Sequence, residues 1–137
     1  MAYHVEFFCK SGMSNTDEAL DTLVRALAER GTPVEVKGHL GSARVSSFEL
    51  AASPASHGEP AGSVAVNLAV GEEVVATDIR RVADELGGER VVGSDLHLTA
   101  ILSSAWDDPV FESMMATLPD LWQAVIYDEA SGFVDDV

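Results

Sequence analysis

The chain has 137 residues, 47% of them apolar, and sets 23 acidic side chains against 8 basic ones for a net charge of −15. That length fits one domain able to bury about two-thirds of the surface its unfolded form exposes, and the aliphatic content excludes a disordered acidic tail. The charge disfavours direct binding to a nucleic-acid backbone, because affinity for phosphate rests on cationic contacts that release counterions.

In chain order, the opening YHVEFFCK alternates Tyr3, Val5, Phe7 and Cys9 with His4, Glu6, Phe8 and Lys10, the period-two pattern of a half-buried strand. No basic residue precedes this apolar patch and Glu6 interrupts it, so it does not read as a secretory signal. The single cysteine, Cys9, agrees with a reducing compartment, and a cytoplasmic location is expected. On the inward side of the strand, Cys9 is expected to behave as a small buried hydrophobe. SNTDEALDTLVRALAERG then places Leu20, Leu23, Val24 and Leu27 at helical spacing, with Asn15 or Thr16 able to cap and Gly31 to stop the helix. PVEVKGHL and SSFELAA predict an antiparallel hairpin with Val34 and Val36 inward and Glu35, Lys37 and His39 outward.

The Pro-, Gly-, Ser- and Ala-rich stretch 53–63 reads as a loop between two half-units. SVAVNLAV begins the second half as a strand, and EEVVATDIRRVADELGG predicts a helix with Val75, Ile79, Val82 and Leu86 in its apolar stripe and Gly87 at its end. The longest uncharged run is the twelve residues from Pro60 to Gly71, short of the roughly 18–20 that span a bilayer, so no membrane span is expected. RVVGSDLHLTAIL returns as strand. Asp108 before Pro109 is a helix start, and the face Val110, Phe111, Met114, Met115 and Leu118 predicts a third helix over 109–118 that Pro119 interrupts. The run Ala124–Tyr127 and the turn chemistry of DEASG predict a terminal hairpin, with Asp135 and Asp136 guarding a sheet edge.

Neither half-unit can bury its helix stripe alone, so the expected fold is one α+β domain over 1–137. An antiparallel or mixed sheet of about five to seven strands carries two helices on one face, in a weak βαββ repeat with ferredoxin-like layering, plus a C-terminal helix and hairpin.

No nucleotide-binding loop, nucleophile elbow, HExxH or CxxC occurs in the sequence, and no cofactor is expected. Two sets of residues invite function. Charge is uneven: residues 1–90 hold 14 acids and all 8 Lys and Arg, whereas 91–137 hold 9 acids and neither Lys nor Arg. The natural complement is a basic protein, and the expected reading is a non-enzymatic acidic binding or inhibitor module, of the immunity-protein type, steered to its partner by its field. Its surface is expected at Trp106, Asp107, Asp108, Glu112, Asp120, Asp128 and Glu129. General salt adaptation accounts for the same charge, and Trp106, Met114, Met115 and Trp122, candidates for an adaptable binding surface, are expected rather to pack a helix onto its own sheet. The alternative is a metal- or small-molecule-binding domain, an enzyme included, using His4, Glu6, His39, Asp95 and His97 on the polar sheet face, since imidazole with carboxylate is a common ligand set. Solvent contact explains that polar face as well. A homodimer through strand edges or the third helix is compatible with the pattern.

Overall fold

The computed structural model describes residues 3–52, 63–85, 87–102 and 108–134. Its elements are β1 (Tyr3–Cys9), α1 (Thr16–Glu29), β2 (Val34–Gly41), β3 (Val45–Ala52), β4 (Ser63–Val70), α2 (Glu72–Val82), a 3₁₀ turn (Gly88–Val91), β5 (Leu96–Leu102), α3 (Pro109–Trp122), β6 (Val125–Asp128) and β7 (Gly132–Val134). The strands form one seven-stranded sheet in the order β2-β3-β4-β5-β1-β6-β7, antiparallel at every pairing. The expected α+β class, the antiparallel sheet and the terminal hairpin are all present, and both half-units contribute strands to the same sheet. Among the described residues no helix is long and apolar enough to cross a membrane. The inter-unit stretch 53–62, Leu86 and the carboxylates Asp135 and Asp136 lie outside the described residues.

The interior strand β1, between β5 and β6, explains the layering. Val5, Phe7 and Cys9 enter a core built with β3, β4 and β5 against Leu20, Leu23 and Leu27 of α1 and Phe111, Met114, Leu118 and Trp122 of α3. Phe8, on the alternate side, joins Val82, Val91 and Tyr127 in a second, smaller core. Two helices do share one face of the sheet, but they are α1 and α3. Helix α2 lies on the opposite face, because Val82 and Ile79 meet Phe8 there. A strand buried on both sides reads FFC without alternation, which is what residues 7–9 show.

Three boundaries differ from expectation: the first is that α2 ends at Val82 and does not run on to Gly87. Pro119 lies inside α3 and does not end it; its missing N–H removes one bond, and burial of Leu118 and Trp122 holds the added turn until Gln123, at φ 52°, closes the helix. Residues 88–91 form a 3₁₀ turn in place of the start of a strand.

Candidate functional site

The polar face predicted from period two is only partly assembled. Glu6 of β1 and His97 of β5 are both buried, with His97 Nε2 2.8 Å from Glu6 Oε1. Residues of α2, which the sequence reading left out, complete the cluster. Arg81 donates to Glu6 Oε1 and lies 3.6 Å from Asp78, whose Oδ2 is 3.5 Å from His97 Nδ1. The Phe8 ring lies 4.7 Å from the imidazole, centroid to centroid, and backs it. Burial alone pushes the Glu6 carboxyl up, but the hydrogen bonds and charges of His97 and Arg81 outweigh it and hold Glu6 below the usual carboxylate range.

The other three residues of that set stand apart. His4 is partly exposed and meets Glu129, with Nδ1 3.8 Å from Oε2. Asp95 accepts from Ser11 N at 2.7 Å, Ser11 Oγ at 3.0 Å and Gly12 N at 2.8 Å, so its carboxylate fastens the loop after β1. His39 is on the wrong face for the cluster. Lys37 pairs with Glu49 but Leu40 with Ser47, a bulge whose extra residue turns His39 toward Phe48, 6.1 Å between centroids, and to 3.9 Å from Asp17 of α1.

A signal for Asp78 was present in the sequence: Val75, Asp78 and Val82 fall at i, i+3 and i+7, so a carboxylate occupies the core-facing stripe of α2. Sequence periodicity alone could not name the strands beneath it.

The acidic surface is also sorted by the fold. Asp108 caps α3, accepting from Val110 N at 2.8 Å and Phe111 N at 3.2 Å, and receives Ser63 N at 2.9 Å. Asp120 pairs with Arg30 at 2.7 Å. Asp128 is buried and accepts from Tyr3 Oη at 2.5 Å, Ala130 N at 2.9 Å and Ser131 Oγ at 2.9 Å. Glu112 and Glu129 are exposed, and Trp106 and Asp107 lie outside the described residues.

Beside Glu129, the β6–β7 hairpin and the 3₁₀ turn enclose a groove of about 860 Å³. Glu85, Glu89 and Glu129 rim it, all exposed, and Tyr127 and Phe133 form its aromatic wall, their centroids 4.9 Å apart in an edge-on pair. The chain's own Arg90 places its guanidinium carbon 5.4 Å from the Phe133 centroid and donates to Gly87 O at 3.3 Å. A hydrogen bond to Glu85, burial and the nearby carboxylate charges push the Tyr127 hydroxyl up to about 12. Aromatic faces and carboxylates together favour a cation.

No protein-family model, curated protein or solved structure matches this chain.

Proposed function

We propose that this chain is a non-enzymatic acidic recognition module that engages a basic protein partner, with the groove between the β6–β7 hairpin and the 3₁₀ turn as its docking point. The observation that carries the reading is the groove itself: three exposed carboxylates, Glu85, Glu89 and Glu129, surround an aromatic wall already in contact with one guanidinium. The net charge of −15 steers a cationic partner toward the surface, and an Arg or Lys side chain then enters the groove beside Phe133. Of the carboxylates expected at the interface, Glu129 lies in the groove, whereas Asp128 supports the hairpin from beneath.

Charge alone and a shaped site are separable. Removing three charges from the groove (E85Q, E89Q, E129Q) and three from elsewhere (E29Q, E35Q, E72Q) gives two variants of equal net charge. Affinity for a fluorescent hexa-arginine peptide is expected to fall about tenfold or more in the first and no more than about twofold in the second. Equal losses in both would reduce the binding to general electrostatics and remove the groove.

A further inference from the structure

The cluster between α2 and the sheet has a composition that the groove does not use. Glu6, Asp78 and His97 each offer one donor atom, and the three atoms lie within 4.8 Å of one another. They come from β1, α2 and β5, so the tertiary fold, and no local stretch of chain, brings them together. Glu6 and His97 are fixed by burial, while Asp78 stands on the rim with its side chain 32% exposed. We propose that this cluster is a binding site for a divalent transition-metal ion of the class that accepts mixed imidazole and carboxylate ligands, such as zinc.

Spacing supports the assignment. Two donors held at about 2.1 Å by one ion stand about 3.0 Å apart at right angles and about 3.4 Å at the tetrahedral angle. Nε2 of His97 and Oε1 of Glu6 are 2.8 Å apart, a hydrogen-bond spacing that opens by a few tenths of an ångström to admit an ion at right angles and by about 0.6 Å for a tetrahedral one. Asp78 faces the other ring nitrogen, Nδ1, at 3.5 Å, so its side chain has to swing from there toward Nε2 to supply the third ligand, and water fills the remaining positions.

Charge supports it too. Without metal, the two carboxylates face the Arg81 guanidinium and the His97 ring. The Arg81 side chain is 49% exposed, so it reaches the cluster from the solvent side and can withdraw to water. A divalent ion takes the place of that guanidinium, the imidazole binds in its neutral form with any proton it carries released to solvent, and two carboxylates against one divalent ion leave the cluster neutral. Arg81 is therefore the competitor that sets the affinity, and the Phe8 ring holds the imidazole in position.

Zinc chloride alone is the probe, read by calorimetric titration and by melting temperature. The wild-type chain is expected to bind one ion with a rise in melting temperature. Arg81→Gln is expected to bind about tenfold or more tightly, and Asp78→Asn about tenfold or more weakly, with the imidazole nitrogen resonances of His97 shifting on addition of zinc only where binding is retained. Asp78 is on the rim, so this variant keeps its fold; His97→Asn tests the buried ligand, and circular dichroism checks its folding. Absence of a saturable site in both the wild type and Arg81→Gln overturns the proposal. Binding that survives Asp78→Asn unchanged, or that weakens in Arg81→Gln, overturns it equally, since the ion would then occupy other carboxylates.

Discussion

Asp128 shows how one residue can be acidic in sequence and structural in the fold. Burial raises its carboxyl, but the hydrogen bonds from Tyr3, Ala130 and Ser131 outweigh that and hold it below its ordinary value. A folded pKa below the unfolded one, about 3.9, gives stability that is fully present above that value and lost as pH falls through the folded one. Wild-type stability is therefore expected to drop on acidification below about pH 4, and Asp128→Asn to flatten that drop while costing about 1–3 kcal/mol at neutral pH, both read from urea unfolding at a series of pH values. Cys9 gives a second prediction at this scale. Complete burial, with the charge of Asp95 adding to it, pushes the thiol far up. A thiol reagent is expected to leave the folded protein unlabelled over hours and to label it within minutes in denaturant; fast labelling of the folded protein would contradict the core assignment.

At the scale of elements, the junction of α2 with the 3₁₀ turn sets the geometry of the groove. Gly88 lies where an added Cβ would press on the carbonyl oxygens of Val82 and Ala83, which are backbone atoms with little room to yield. Gly88→Ala is expected to cost about 1–3 kcal/mol in urea unfolding and to weaken peptide binding in the groove, because the turn carries Glu89 and Arg90. Wild-type stability in that variant would show that the turn is free to shift. The same scale shows what was legible in the sequence. Leu20, Leu23 and Leu27 announce α1, Val64 through Val70 announce β4, and Asn15 and Asp108 mark their helix starts, because each signal is local and periodic. Pro119 inside α3 and the bulge after Lys37 were not legible: the first is carried by tertiary burial of Trp122, the second by strand register, and neither leaves a periodic trace. His39 was misplaced for that reason, and with it part of the expected histidine face.

For the whole molecule, the sheet order decides which polar residues meet. Placing β1 between β5 and β6 puts Glu6 beside Thr99 and Tyr127 and one pleat from His97, so the pair Glu6–His97 follows from topology that a single sequence does not specify. The acidic character was legible in composition, but its division into capping, paired, buried and open carboxylates required the fold. On the proposed reading, the exposed carboxylates at the groove, Glu85, Glu89 and Glu129, are the ones a partner engages.

The most direct test of that account is an amide-resonance titration of the isotopically labelled chain with a hexa-arginine peptide, first near 0.02 M and then at 1 M salt. We predict shifts concentrated in residues 85–90 and 127–133 at low salt, largely lost as the Debye length shortens to about 3 Å. Shifts spread evenly over all exposed acidic residues, with no preference for the groove, would contradict it.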